Sequence, residues 1–214
     1  DGNVLLNDFS ITIHPGEKVA FVGMEHNSIT SFFDIVSETK KPDSGTYSWG
    51  QTTSHSYMGR DNSAYFNNEL TITDWLKQYS PDQDDAYVRG FLGRMLFSGD
   101  DGLKKVKVLS GGEKVRCMLS KMMLSGANVL ILDDPTNHLD LESIESLNEG
   151  LVKFPGVVMF SSHDHEFIST IANRIIEITP KGIIDRMMNF DDYLKDDQVK
   201  HLRKEYYAGL NKKI

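Results

Sequence analysis

The sequence predicts an α/β domain with a mostly parallel core sheet, a small antiparallel β portion and an inserted helical lobe. Short apolar runs that suit buried strands alternate with segments whose apolar residues recur at helical spacing. Between residues 66 and 125 the spacing is mostly helical, which interrupts the alternation. We therefore expect the α/β core in residues 1–65 and 126–190, the helical lobe in residues 66–125, and a C-terminal tail in residues 191–214.

The elements before the helical lobe are two strands, a helix and a third strand. The stretch "FSITIHPGEKVAFVG" indicates two short strands joined by a turn at Pro15–Gly16. The second strand runs into a helix that is expected to start near Ser28, because apolar residues recur at helical spacing after it. A turn-rich exit, "KKPDSGTYSWG", leads to a strand at "SHSYMG".

The helical lobe and the rest of the core follow in chain order. Helical spacing is expected from Thr71 to Leu96, and a glycine pair at 111–112 opens an amphipathic helix that ends near Gly126. The continuous apolar run "NVLILDDP" is typical of a strand buried on both faces. The remaining predictions are a helix over 141–151, the strand "VVMFSSHD", a helix over 165–172, strands over 175–178 and 182–186, and a helical tail from Asp191.

Composition and charge limit the classes of function. The 214 residues, of which 39% are hydrophobic, suffice for one sizeable core. A net charge of −8 argues against a stand-alone binder of nucleic-acid phosphates. The only cysteine, Cys117, cannot form an internal disulfide and lies in an apolar periodic stretch, so we expect it to be buried. No apolar run reaches membrane-spanning length, and the start at Asp1 lacks a signal-like pattern, which predicts a soluble, cytoplasmic fragment of a longer protein.

The stretch "NVLILDDPTNHLD" carries two adjacent acids at the end of a predicted buried strand. Asp133 stands where a strand can deliver a carboxylate to Mg²⁺ on a nucleotide. Asp134 can orient or deprotonate a water molecule only if a phosphate lies nearby. Buried strands often end in acids that have no such role, so this stretch by itself leaves both interpretations open.

Two further stretches carry groups suited to phosphate chemistry. In "LSGGEK", Ser110, Gly111 and Gly112 precede an amphipathic helix, so free N–H groups and the helix dipole point outward together. In "SSHDHEF", His163 directly follows a predicted strand and can reach the end of the sheet. A lone histidine in such a place is more often structural than catalytic.

The stretch "GMEHNSIT" is a partial match to the phosphate-binding pattern G-x-x-x-x-G-K-[ST]. Gly23 and Thr30 occupy the positions of the first glycine and the hydroxyl residue. Ser28 replaces the second glycine, and Ile29 replaces the lysine. By itself this half-match is a weak indication of a phosphate site.

The order and spacing of these stretches, together with "HPGEKVAFVG" and "KPDSG", resemble the ATP-binding cassette family over nearly the whole chain. The specific parts of the resemblance are "LSGGEK" and "DDPTNHLDL". The form "PTNHLD" further resembles the F subfamily. Members of that subfamily carry two cassettes in one polypeptide, have no membrane domain, and bind the ribosome as translation factors or antibiotic-resistance proteins. The chain looks like the second, C-terminal cassette of such a protein.

The resemblance implies roles for individual residues. Thr30 and Asp133 are expected to bind Mg²⁺. Asp134 is expected at the catalytic carboxylate position, and His163 is expected to contact the γ-phosphate. The implied nucleotide-binding residues are Gly23, Asn27, Ser28, Ile29, Thr30 and Ser31. The implied signature residues, which cap the nucleotide of a partner cassette, are Ser110, Gly111, Gly112 and Glu113. The implied crossing loop between cassettes is Asn137, His138, Leu139 and Asp140.

The same resemblance implies ATP and Mg²⁺ as cofactors and ATP hydrolysis as the reaction. The implied partners are the first cassette of the same polypeptide and the ribosome, contacted at its rRNA and tRNA through regions outside this chain. No membrane contact is implied.

The chain departs from the family pattern at its own phosphate site. Ile29 removes a charge-assisted contact to the phosphates, typically worth about 1.5–3 kcal/mol. Glu25 adds like-charge repulsion, and His26 and Ser28 stand where relatives carry glycines. Asp134 is one methylene shorter than the glutamate of most relatives, so it reaches less far toward a water molecule.

Two further departures concern residues around the site. The glutamine expected after the "SYMG" strand is missing, and Arg60 or Asp61 occupies its neighbourhood. The aromatic residue that stacks on adenine is expected before Asp1, and Phe9 is expected in the core.

These departures spare the signature and the crossing loop, which act on the nucleotide of a partner. We therefore expect two unequal ATP sites, with weak or absent ATPase activity in this domain alone. Two alternatives remain open. One is the ATPase subunit of a membrane transporter, and the other is a scaffold that kept the fold and lost the nucleotide.

Overall fold

Six strands and eight α-helices lie in the part of the chain that the computed structural model describes, residues 4–7, 10–81, 84–95, 97–137 and 139–208. The strands are β1 (Lys18–Gly23), β2 (His55–Met58), β3 (Val129–Asp133), β4 (Val157–Ser161), β5 (Arg174–Thr179) and β6 (Gly182–Arg186). The helices are α1 (His26–Val36), α2 (Ile72–Lys77), α3 (Asp85–Arg94), α4 (Gly111–Leu124), α5 (Leu141–Lys153), α6 (His165–Ile171), α7 (Phe190–Lys195) and α8 (Asp197–Tyr206). Within these residues, no helix is both long and apolar enough to cross a membrane.

The strands form one sheet in the order β2-β3-β4-β1-β5-β6. β1 pairs in parallel with β4 and β5, and β3 pairs in parallel with β2 and β4, whereas β5 and β6 are antiparallel. Helices α2 to α4 are inserted between β2 and β3. This architecture confirms the predicted fold class. The parallel strands place their carboxyl ends at one edge of the sheet, which is where open α/β sheets bind ligands.

Helix α1 covers one face of the sheet, and the apolar sides of α4, α5 and α6 cover the other. Along β1, Phe21 faces α1 and Ala20 faces the opposite side, as the two-residue period of a strand requires. The Phe21 ring contacts those of Phe32 and Phe33 at centroid distances of 5.0 and 5.3 Å. This aromatic layer fixes the rotation of α1 about its axis and therefore determines which of its side chains face the carboxyl edge.

The strand predicted in front of the first turn is wrong, because the described residues 10–14 form no strand. Side chains bind the backbone there instead of a neighbouring strand. Arg174 Nη1 donates to the Thr12 carbonyl at 2.7 Å, and the His14 N–H donates to a Glu17 carboxylate oxygen at 3.1 Å. The antiparallel part of the sheet comes from β5 and β6.

The helical stretch predicted from Thr71 to Leu96 is divided between α2 and α3. Pro81 separates them, and the residue before a proline disfavours helical dihedral angles. Asp84 then caps α3 by accepting a hydrogen bond from the Tyr87 N–H at 3.0 Å. Leu96 lies outside the described residues.

Two side chains were expected in the core. Cys117 is fully buried, and its burial raises the pKa of the thiol, so the side chain acts as a small apolar group. Phe9 lies outside the described residues.

Helices α7 and α8 are held on the sheet by one buried carboxylate. Glu177 on β5 is 1% exposed and accepts hydrogen bonds from the Tyr193 hydroxyl (2.6 Å), the Tyr207 hydroxyl (2.9 Å) and Arg203 Nε (3.1 Å). Burial and the bond to Glu177 both raise the pKa of Tyr193, so its hydroxyl remains a donor at neutral pH. A buried carboxylate requires such partners, and these two helices therefore belong to the folded domain.

We predict that Tyr193→Phe lowers the free energy of unfolding by about 1–2 kcal/mol, because Glu177 loses one buried donor while the ring is kept. Urea denaturation measures this change. Tyr47→Phe is the matched control, since Tyr47 is 42% exposed and its loss should stay within about 0.5 kcal/mol. Equal effects of the two changes would show that the bond to Glu177 does not hold the C-terminal helices.

Candidate functional site

The connection between β1 and α1 consists of Met24 and Glu25, because α1 begins at His26. The helix thus begins two residues before the expected start near Ser28. The Ser28 N–H donates to the Glu25 carbonyl at 3.1 Å and is already bound within the helix start. Without the glycines of the family pattern, the segment extends α1 toward the sheet instead of forming an open loop. Two residues cannot surround a phosphate with N–H groups as a longer phosphate loop does.

Backbone packing between β1 and β5 requires glycine at position 23. A Cβ atom at this position would lie 2.6 Å from the carbonyl oxygen of Ile178 on β5. Close pairing of β1 and β5 therefore requires glycine here whether or not a phosphate binds. Of the other expected nucleotide-binding residues, Asn27 is exposed and Ser31 is half-buried.

Ile29, which stands at the lysine position of the pattern, belongs to the apolar core between α1 and the sheet. It is 2% exposed and lies in the same buried cluster as Phe21 and Phe33. A lysine in its place would bury an ammonium group among apolar side chains, which carries a large desolvation penalty. The packing of α1 therefore favours an apolar side chain, and disfavours lysine, at position 29.

Asp133 ends β3 with a carboxylate that three side chains bind. His26 Nε2 lies 3.0 Å from Oδ1, the Ser161 hydroxyl donates to the same oxygen at 2.9 Å, and the Thr30 hydroxyl donates to Oδ2 at 2.7 Å. Burial raises the pKa of Asp133, but hydrogen bonds from these three side chains outweigh burial and hold the pKa below its usual range. Since an ionised carboxylate only accepts hydrogen bonds, the His26 ring donates its Nε2–H.

Asp134 adopts a left-handed backbone conformation, with a φ of +53°, directly after β3. Its N–H donates to the Ser161 hydroxyl oxygen at 2.9 Å, and its carboxylate accepts from Arg60 Nη2 at 3.2 Å. The Asp134 side chain is 6% exposed and that of Arg60 is 42% exposed, so a guanidinium reaches in from the surface to an almost buried acid. Asp61, the other residue near the missing glutamine, instead accepts from the Ser63 N–H at 2.9 Å.

His163 follows β4 at the same edge of the sheet. Its ring centroid lies 5.3 Å from that of His26, with the two planes inclined by 35°. Next to it, the hydroxyl oxygens of Ser162 and Thr136 are 2.7 Å apart in a buried contact. The residue expected to contact a γ-phosphate thus lies beside the histidine that binds Asp133.

Helix α4 begins at the glycine pair, and Ser110 is its N-cap. The Ser110 hydroxyl accepts from the Glu113 N–H at 3.3 Å, and the Glu113 carboxylate accepts from the Ser110 N–H at 2.8 Å. These two bonds form a capping box, and Lys104 binds the same carboxylate at 3.0 Å. Gly111 is exposed, so the positive end of the helix dipole faces solvent.

Gly112 has a constraint that the sequence analysis missed. It is buried against α5, and a Cβ atom on it would lie 2.0 Å from Ser143 Oγ and 2.7 Å from Ser143 Cβ. The side-by-side packing of α4 and α5 therefore requires glycine at this position independently of any phosphate.

The predicted crossing loop leads into α5 next to this contact. Asp140 is the N-cap of α5 and accepts from the Ser143 N–H at 2.8 Å. Leu139 is half-buried against the main core and Asn137 is exposed, while His138 lies outside the described residues. Because Ser143 also contacts the start of α4, the signature and the crossing loop lie side by side.

Comparison with known proteins identifies the family. A family model described as ABC transporter matches residues 6–137, which is more than half of the chain. The chain belongs to this family. It is therefore a cassette of an ATPase family whose fold implies ATP binding.

Two relatives are much longer than the region that matches this chain. The ABC transporter ATP-binding protein YkpA of Bacillus subtilis (strain 168) is 56% identical over 210 residues, which cover 97% of this chain and 39% of YkpA. The energy-dependent translational throttle protein EttA of Escherichia coli (strain K12) is 32% identical over 194 residues, which cover 89% of this chain and 35% of EttA. The cassette thus spans less than half the length of either relative.

A solved structure supports the fold. The dimeric post-hydrolysis structure of the ATP-binding cassette MJ0796, bound to ADP and Pi, matches 86% of this chain and 91% of that chain with a TM-score of 0.70. The sequence identity is 17%, so the similarity concerns the fold alone.

The cassette's own site does not fit Mg²⁺ and a triphosphate. Ile29 is in the core, the loop is two residues long, and the His26 N–H is directed at one carboxylate oxygen of Asp133, Oδ1, which it makes unavailable to a metal ion. Among the described residues, no group of three or more His, Cys, Asp or Glu side chains is arranged to hold a metal ion. Ser161 is a further member of this cluster that the sequence analysis did not identify.

We predict that Gly112→Ala lowers the free energy of unfolding by about 1–3 kcal/mol, because the new methyl group overlaps Ser143. Ser143→Gly in the same chain should recover most of that loss, since it removes both atoms that the methyl group meets. Thermal or urea unfolding measures the effect. Gly90→Ala is the control, because nothing lies within 4 Å of its Cβ position. A double variant as unstable as Gly112→Ala would contradict the proposed contact.

Proposed function

We propose that this cassette is the second of two cassettes in a longer F-type protein, that its signature helix completes the ATP site of the first cassette, and that its own site binds nucleotide weakly. The observation that carries the proposal is the contrast between two helix starts. The start of α4 keeps the signature glycines and a capped, exposed N-terminus. The segment at the start of α1 lacks the long loop, the lysine and the second glycine of the phosphate-binding pattern.

The signature side has the properties that an anionic ligand requires. Ser110 and Gly111 are exposed. The Glu113 carboxylate is already bound by the Ser110 N–H of the capping box and by Lys104. The N–H groups and the dipole of α4 therefore favour a phosphate brought by another molecule or another part of the polypeptide. The adjacent crossing loop, fixed by the Asp140 cap, presents a second contact surface to the same partner.

The relatives support a role within a longer protein. This cassette covers 39% of YkpA and 35% of EttA, so each relative has room for a second cassette. EttA is named an energy-dependent translational throttle protein, and the "PTNHLD" form of this chain resembles the F subfamily. We therefore propose that the whole protein hydrolyses ATP and acts on ribosomes in the cytoplasm, with ribosomal contacts made outside this chain.

Two alternatives have their own support. The family model and YkpA are both described by the words ABC transporter, which favours the ATPase subunit of a transporter. The full-length sequence decides this case, because a second cassette in the same polypeptide argues for the F-type protein. The hydrogen bond from His26 to the Asp133 carboxylate favours a nucleotide-free scaffold, because it uses an oxygen that a metal ion could otherwise bind. Calorimetric titration of this chain with Mg²⁺ and an ATP analogue tests that alternative, which binding in the low-micromolar range would exclude.

We predict unequal effects of two substitutions on the ATPase activity of the full-length protein. Ser110→Asp keeps an N-cap residue but places a carboxylate next to the partner's phosphates, so it should lower the rate by about tenfold or more, the equivalent of a lost charge-assisted bond. Thr30→Val removes the hydroxyl expected at this cassette's own metal position with little change in volume, and it should change the rate by less than about twofold.

Steady-state phosphate release measures both rates, and thermal unfolding verifies that both variants are folded. Equal losses of activity would contradict the asymmetry between the two sites.

A further inference from the structure

We propose that His26 and Arg60 are internal substitutes for the ligands of this site: His26 occupies the Oδ1 oxygen of Asp133, and Arg60 binds the carboxylate of Asp134. The proposal deepens the account of the cassette's own site, and it rests on the proposed function for the identity of that site. It states that the site is not merely weakened but is closed by side chains of the chain itself.

The start of α1 at His26, two residues before Ser28, places the His26 side chain at the site. His26 and Thr30 are four residues apart on one helix, so they lie on the same face, one turn above the other. The two side chains contact different oxygens of Asp133, at 3.0 Å and 2.7 Å. Ile29, one position before Thr30, packs into the core and holds the helix in this rotation.

The contact from His26 is incompatible with Mg²⁺ on the same oxygen. Mg²⁺ takes oxygen ligands at about 2.0–2.1 Å in near-ideal octahedral geometry. The Oδ1 oxygen of Asp133 accepts hydrogen bonds from both His26 and Ser161. An N–H group directed at this oxygen places a proton where a metal ion would lie. The Thr30 hydroxyl donates to the other oxygen, Oδ2, and retains its own lone pairs. A metal ion that uses Oδ1 together with the Thr30 hydroxyl therefore requires His26 to leave.

Arg60 acts in a similar way on the second acid. Its guanidinium is 3.2 Å from Asp134 Oδ2, where it holds the carboxylate in a charge-assisted bond. A carboxylate held in this way is a poor acceptor for the proton of a water molecule. Arg60 is 42% exposed, so this contact is weaker than the one to Asp133 and is the secondary part of the closure.

Protein side chains satisfy both acids of the closed site. Asp133 is 1% exposed and Asp134 is 8% exposed, and buried acids require partners. His26, Thr30 and Ser161 bind Asp133, and Arg60 binds Asp134. These bonds offset the cost of burying the two carboxylates.

Metal binding by His26 variants of the 214-residue chain tests the proposal. Mn²⁺, a paramagnetic substitute for Mg²⁺, is titrated in the presence of ATP and followed by electron paramagnetic resonance. His26→Ala should tighten Mn²⁺ binding by about tenfold or more relative to the unmodified chain, because it frees an oxygen ligand. His26→Gln keeps an N–H donor of similar reach and should bind Mn²⁺ as weakly as the unmodified chain.

Two further variants locate the effect. Asp133→Asn in the His26→Ala chain should remove the gain, since the freed oxygen is the ligand in question. His201→Ala is the matched control, because His201 is an exposed histidine on α8. Thermal unfolding with and without Mn²⁺ provides a second readout, and Mn²⁺ should raise the unfolding temperature of His26→Ala more than that of the unmodified chain.

Each result is informative. Equally weak Mn²⁺ binding by the folded His26→Ala chain and the unmodified chain would overturn this inference and leave the proposed function in place. Mn²⁺ and ATP binding by the unmodified chain in the low-micromolar range would overturn both this inference and the weak own site of the proposed function. A gain that persists in the Asp133→Asn double variant would also overturn the inference.

Discussion

A buried carboxylate must have partners, and the structure around the carboxyl edge of the sheet follows from how Asp133 meets this requirement. Its partners come from α1 and from the end of β4, so the same hydrogen bonds join two strands and a helix. In a nucleotide-loaded cassette a metal ion would share this carboxylate. Here His26 donates to it, and that contact is possible because α1 begins at His26, with Thr30 one turn further along the same face.

The two functional surfaces of the cassette depend on different parts of the chain. The signature depends on the capping box at Ser110 and on the tight contact between Gly112 and Ser143. The cassette's own site depends on the start of α1 and on Asp133. Because the two surfaces are built from different residues, one can lose its ligand chemistry while the other keeps it. This separation is the physical basis of the proposal that the cassette serves a partner's ATP site better than its own.

Much of the fold could be predicted from apolar periodicity, including the buried strand that ends in Asp133 and the helix after the glycine pair. The start of α1 was predicted two residues late, because the apolar spacing begins at Ile29 and the polar residues His26 and Asn27 before it carry no such signal. The prediction of a strand before the first turn was wrong because side chains bind the backbone there. Arg174 is distant in the sequence, and Glu17 is only three residues from His14, whose N–H it binds. The second role of Gly112 could not be seen either, since only the packing of α4 on α5 brings it to Ser143.

The proposed asymmetry means that only one of two ATP sites in the full-length protein binds nucleotide tightly. Equilibrium dialysis with a non-hydrolysable, radiolabelled ATP analogue and Mg²⁺ measures how many analogue molecules each polypeptide binds at saturation. We expect one molecule per polypeptide. Two molecules bound with similar affinity would rule out the asymmetry.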